Sequence, residues 1–210
     1  MLAYKFLDAD GRAPFTGTLW PRHGWMEVSQ ASPCHQGVHA CRAADVAIWI
    51  AAAMWVVELD GEVIEARHKL VATRGRLVAP VPGYDEAIAE LNEVCAWRCR
   101  ARAVAALRRR RRFVRARRFA RASTLERLAE LGGRCDDRTF AGRLGALAGD
   151  AAREAIAGVL ARAPFVAACS AGHDAAGRAD AQDAQDAFDA GYQAERDFQS
   201  AWLTRRLTLT

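Results

Sequence analysis

Residues 54–82 read MWVVELDGEVIEARHKLVATRGRLVAPVP, and this stretch decides the fold class. Met54–Leu59 is an apolar run with the length and the β-branched and aromatic content of a strand. Asp60-Gly61 follows as a hairpin signal, so Glu62–Ala66 is the expected return strand. Lys69–Ala79 then sets Leu70 and Ala72, and after them Leu77 and Ala79, about a central Gly75, the period-two pattern of another strand. Pro80 and Pro82 end this pattern, and no strand signal follows them.

Upstream of the stretch the signals are also strand-like. Leu2–Leu7 reads as a first strand, Asp10-Gly11 as a turn and Trp25–Val28 as a short strand entered through Gly24. Gly37–Cys41 places Val38 and Cys41 around His39, and Ala43–Ala51 has the composition of a short helix. Residues 1–82 are thus expected to form an α+β domain, a small mixed or antiparallel sheet with one short helix. Downstream, a helix is expected from Asp85 through Ile88, Leu91, Cys95 and Cys99 to Leu107. Ser123-Thr124-Leu125-Glu126 has capping-box spacing, with Gly132-Gly133 closing that helix. Asp150 caps Ala151–Arg162, which Pro164 ends, and a last helix spans Ala181–Leu207 with Phe188, Tyr192, Phe198, Trp202 and Leu203 on one face. Residues 83–210 are therefore expected to be an Ala/Arg-rich, all-helical region.

At 210 residues and 51% hydrophobic composition the chain is long and apolar enough to bury a core. Its basic residues are 28 Arg and only two Lys, Lys5 and Lys69. The net charge of +5 is local. Residues 1–82 carry 8 acids and 8 bases, 83–135 carry 14 bases and 6 acids, and 136–210 carry 8 bases and 11 acids. The opening residues lack the pattern of a signal peptide, and the longest apolar run, Val46–Val57, is too short to span a bilayer. A cytoplasmic location without membrane contact is the expectation, with the six cysteines mostly as thiols.

The octet Cys34-His35-Gln36-Gly37-Val38-His39-Ala40-Cys41, followed by Asp45 and Trp49, is distinctive. With the Ala3-Tyr4-Lys5 opening and the Trp55–Gly61 strand it resembles a bacterial and phage domain of unknown function carrying Cys-x-x-Gly-x-His-Ala-Cys. That resemblance covers about the first 80 residues and implies no activity. The helical part resembles companion regions of actinobacterial hypothetical proteins.

Two thiols and two imidazoles in eight residues offer zinc the S and N donors it favours, with Cys34, His39 and Cys41 as the candidate ligands. The plainer reading makes Val38 and Cys41 core, Gly37 a turn residue, and His39 a half-buried side chain satisfied by a hydrogen bond. A cysteine nucleophile would need His35 or His39 to lower its thiol pKa. The order of elements looks like the ADP-ribosyltransferase class, which would place Tyr4, His39 and Glu58 or Glu62 at a nucleotide site.

The basic run comprises Arg108, Arg109, Arg110, Arg111 and Arg112, then Arg115, Arg117, Arg118 and Arg121. Read as one helix, consecutive arginines point in every direction and leave no apolar stripe to bury. They must meet water, an anion such as nucleic-acid phosphate or an acidic protein, or internal acids such as Glu126, Glu130 and those of the net acidic segment 136–210. Phe113 and Phe119 are candidates to stack on bases, but at i and i+6 the expectation is that they pack inward on successive turns. Cys95 and Cys99, at i and i+4, are expected as core thiols. Asp180, Asp183, Asp186 and Asp189 are expected in solvent, while Glu195 falls on an apolar face, where a buried carboxylate needs a partner unless Arg196 or Arg205 on neighbouring turns draws it outward. Dinucleotide, phosphate-loop and hydrolase motifs are absent, so no cofactor is expected. The leading expectation is a non-enzymatic binding protein that contacts a polyanion or partner protein through Arg108–Arg121.

Overall fold

The structure is a computed structural model, and it describes residues 1–33, 35–123, 127, 130–131, 162–180 and 182–210. The fold is α+β, with an antiparallel sheet of five strands and a helical remainder. The chain divides into two compact units, Met1–Ala87 with Ser200–Thr210, and Ile88–Gln199.

In the first unit the strands are β1 (Leu2–Leu7), β2 (Met26–Glu27), β3 (Val38–Ala40), β4 (Ala53–Ala66) and β5 (Lys69–Pro80). They run in the order β1-β4-β5-β2, with β3 also paired to β5, every pairing antiparallel. Just past β3, Cys41 exchanges backbone hydrogen bonds with Tyr4 of β1 at 2.8 and 2.9 Å. The sheet therefore closes on itself from β1 through β4, β5 and β3 back to β1, and alternate side chains face the enclosed side. Ala3, Leu7, Val38, Ala40, Val57, Leu59, Leu70 and Ala72 form that core with Ala13 and Trp20. Lys5 occupies the position between Ala3 and Leu7 in the same alternation. Its ammonium donates to the His39 carbonyl at 2.8 Å and lies 5.0 Å from the Trp20 ring.

Asp60-Gly61 does not turn the chain. β4 runs on through it to Ala66, and the register shifts between Asp60 and Val63. Gly61 has φ +73°, and a Cβ there would lie 2.3 Å from Thr73 Oγ1, which accepts the Glu62 N–H at 3.2 Å. This is a bulge that needs its glycine. The hairpin instead turns at Arg67-His68, where distant side chains substitute for turn residues. The Arg42 guanidinium donates to the carbonyls of Ala66 and Arg67 at 3.3 and 3.1 Å, and the Trp49 indole donates to that of His68 at 2.7 Å. Asp45 bonds both Arg42 Nε at 2.8 Å and His68 Nδ1 at 3.1 Å.

The short helix expected over 43–51 is a 3-10 helix, Ala43–Ile48. The C-terminal segment is built into this unit. The Ser200 hydroxyl accepts the Ala47 N–H at 3.1 Å, Thr204 donates to the Ala43 carbonyl at 3.1 Å, and Leu203 is fully buried.

In the second unit the described helices are α1 (Tyr84–Arg109), α2 (Phe113–Ala120), α3 (Arg162–Ala176) and α4 (Ala184–Leu207), the first and last contributing residues to both units. Ile88, Leu91, Asn92, Cys95, Ala96, Cys99, Ala103, Ala106 and Leu107 form the buried stripe of α1, at the three- and four-residue spacing of a core-facing helix. α3 and α4 approach closely at two glycines. A Cβ on Gly172 would lie 2.9 Å from the Phe188 carbonyl oxygen, and one on Gly191 would lie 2.7 Å from that of Ala171. Of the helix expected over 123–133 the structure describes Ser123, Arg127, Glu130 and Leu131, the last three helical, and of that expected over 151–162 only Arg162; the rest lies outside the described residues.

Candidate functional site

Twelve arginines and no acid lie between Glu93 and Glu126. The structure sorts them into an inner and an outer set. Arg98 and Arg102 point to Glu195, whose carboxylate is buried and takes Arg98 Nε and Nη2 at 2.7 Å each as well as Arg102 Nη2. Arg98 also stacks on the Phe198 ring at 3.7 Å. The side-chain bond holds the Arg98 pKa above its ordinary value. Glu195 is thus satisfied from α1, not by Arg196 or Arg205. Arg196 is itself buried, donating to the Tyr192 hydroxyl and to Gln199, each at 3.2 Å. Arg100 donates to the Ala122 carbonyl at 2.7 Å just past the end of α2 and stacks on Trp97.

The outer set begins where α1 stops. The expected single basic helix is broken, because Arg111 has φ +55° and Arg110–Arg112 form a turn between α1 and α2. The Arg111 N–H bonds the Arg108 carbonyl at 3.0 Å and the Arg112 N–H bonds that of Leu107 at 2.8 Å. This is the Schellman closure of a helix, with arginine in the left-handed position that glycine usually takes. The consequence is exposure. Arg108, Arg109, Arg110, Arg111, Arg112, Arg115, Arg117, Arg118 and Arg121 are all exposed. Arg109 is paired with Asp174, which also takes Arg178 at 3.3 Å. The other eight form no ion pair among the described residues. Glu130 is bonded to Arg127, and Glu126 lies outside the described residues.

Helix α2 starts without a side-chain cap, so the N–H groups of its first turn add to the positive field. Ala116, Phe119 and Ala122 are buried, whereas Phe113, three residues before Ala116 on the same stripe, is 63% exposed and Val114 is 69% exposed. Phe119 packs inward as expected. Phe113 does not, because the stripe continues past the part of α2 that the core covers.

The N-terminal candidates do not converge. The Tyr4 hydroxyl is occupied by the backbone N–H and carbonyl of Thr210 at 3.0 and 3.1 Å. Glu58 is bonded to Arg76 at 2.7 Å, and Glu62 is exposed. His39 pairs with Val71 on β5 while Glu58 pairs with Arg76 of the same strand, five positions and about 16 Å along it. His39 Nε2 is buried with no hydrogen-bond partner among the described residues, contrary to the expectation of a satisfied imidazole, and desolvation lowers its pKa, with Lys69 and Lys5 adding to the effect. Cys41 is buried and desolvation raises its thiol pKa, as it does for Cys95 and, to about 11, for Cys99, so none of these is poised as a thiolate. Cys34 lies outside the described residues, among which no group of three or more His, Cys, Asp or Glu side chains is placed to hold a metal. Asp180, Asp183, Asp186 and Asp189 are exposed, as their spacing suggests.

Among the described residues no helix is long and apolar enough to cross a membrane. Comparison with protein-family models, curated proteins and solved structures finds no match to this chain.

Proposed function

We propose that this chain is a binding protein that docks a polyanion, the phosphates of nucleic acid, on the Arg108–Arg121 surface. One observation supports this reading above the others: eight exposed guanidinium groups within fourteen residues have no carboxylate partner among the described residues. Such a cluster repels itself, and an external polyanion relieves the repulsion while releasing condensed counterions. Guanidinium forks also match phosphate oxygens in geometry.

The test is binding to a labelled oligonucleotide as a function of salt. A surface making six or more phosphate contacts loses about a thousandfold or more in affinity between about 50 and 200 mM salt. Replacing Arg110, Arg111 and Arg112 by Gln flattens the slope of log K against log salt by about 3 on duplex. Absence of binding at low salt, or a slope that the triple variant leaves unchanged, overturns the proposal. Retention of an acidic protein without retention of any oligonucleotide assigns the surface to a protein partner instead.

A further inference from the structure

We infer that the Arg108–Arg121 surface selects single-stranded over double-stranded nucleic acid, and that the Phe113 ring makes the distinction by stacking on an unpaired base. The inference rests on the polyanion reading above and adds to it the class of strand recognised.

Three observations support it. Phe113 is 63% exposed although it continues the stripe of Ala116, Phe119 and Ala122, so a large apolar ring is left in water. Fully burying such a ring is worth about 2 kcal/mol, so leaving it exposed forgoes a sizeable gain that a partner can recover. The ring's sequence neighbours are cationic: Arg110, Arg111 and Arg112 precede it, and Arg117 lies one helical turn on at i+4. The turn made by Arg111 at φ +55° brings α1 to its end just before the ring, so the ring sits at the start of a new helix whose first turn is uncapped.

Duplex nucleic acid gives such a surface only half of what it offers. Its phosphates meet the arginines, but its base faces are closed inside the stack. A single strand presents phosphates and open base faces together, and stacking on an aromatic ring tolerates any base.

The probe is an oligothymidylate of about 20 nucleotides, longer than the roughly 4 to 16 that such sites occupy, measured beside a duplex of equal phosphate count. An oligouridylate of the same length reports whether the strand is DNA or RNA. The full chain is expected to bind the single strand more tightly than the duplex. Phe113→Ala is expected to weaken single-strand binding about tenfold, to leave the duplex affinity and salt slope unchanged, and to be rescued by Phe113→Trp. Because the ring is exposed, an unchanged thermal midpoint in both variants checks that they fold. If Phe113→Ala leaves single-strand affinity intact, or lowers single-strand and duplex affinity alike, the stacking role is overturned while the polyanion reading stands. If the unaltered chain binds neither probe at low salt, the polyanion reading falls and takes this inference with it. Phe113-dependent sedimentation with phosphatidylglycerol vesicles, together with Phe113-independent oligonucleotide binding, assigns the ring to a lipid surface and overturns the inference.

Discussion

Lys5 is an ammonium in the core-facing row of a closed sheet, and burial is the first cause that lowers its pKa to about 8, with Cys41 opposing. In the unfolded chain the same group titrates near 10.5, so the unfolded state holds more protons between these values. Stability from this residue is therefore full above pH 10.5, declines as pH falls toward 8 and is lost below it, a span worth about 3 kcal/mol. The buried thiols and Tyr84, whose pKa values burial raises, act in the opposite sense, so the informative quantity is a difference. Lys5→Met is expected to be more stable relative to the unaltered chain at pH 7.5 than at pH 10, measured by urea unfolding at both. An equal difference at the two pH values would show that Lys5 is charged alike in folded and unfolded chains. Glu195 carries the second prediction at this scale. Glu195→Gln leaves Arg98 and Arg102 without their carboxylate and is expected to cost about 3 kcal/mol in urea unfolding. Replacing all three by Met or Leu is expected to recover most of that loss, because well-packed apolar groups match a buried ion cluster in stability. The sequence showed that Glu195 needs a partner but not which one. The arginines that serve it are 97 and 93 residues away, beyond the reach of local spacing rules.

At the scale of elements, local chemistry and tertiary context disagree in instructive places. Gly191 lies inside α4, where helix propensity alone says that alanine is better by about 1 kcal/mol. A Cβ there would stand 2.7 Å from the Ala171 carbonyl oxygen and 2.8 Å from the Ala175 methyl, so α3 and α4 would have to separate. Overpacking of this kind costs about 1 to 3 kcal/mol, and backbone oxygen cannot rotate away as a side chain can. Gly191→Ala is thus expected to lower the unfolding free energy by about 1 to 2 kcal/mol, and a rise in thermal midpoint would refute the close contact. Most strands, the long α1 and the α4 helix were legible as periodic patterns. The β4–β5 turn was not, because Arg67-His68 carries no turn chemistry of its own and is fastened by Arg42, Asp45 and Trp49 from far upstream. Asp60-Gly61 has the residues of a turn, but Thr73 accepts the Glu62 N–H and converts them into a bulge. The break at Arg111 was equally hidden, since arginine rarely adopts positive φ and no glycine marks the site.

Across the whole molecule the charge is segregated as the sequence implied, and the structure adds where it is neutralised. Arg98 and Arg102 of α1 are spent on Glu195 and Arg100 on the Ala122 carbonyl, and the outer arginines face solvent with Asp174 serving Arg109. The outward placement of Phe113 could not be read from residue spacing, because an i, i+3 stripe records which residues share a face and not how far the core extends beneath it. The same holds for the C-terminal residues. Helical periodicity assigns residues 200–207 to the last helix, but nothing local shows that they complete the first unit.

That return has a consequence for how the chain comes to be folded. A ribosome delivers residues in order, so β1 through β5 emerge long before Leu203, Ser200 and Thr204, which close over the 3-10 helix. The nascent first unit must wait for more than a hundred intervening residues before its last contacts exist. Its final consolidation therefore cannot precede the synthesis of residues 200–210, which arrive only after the whole of the second unit.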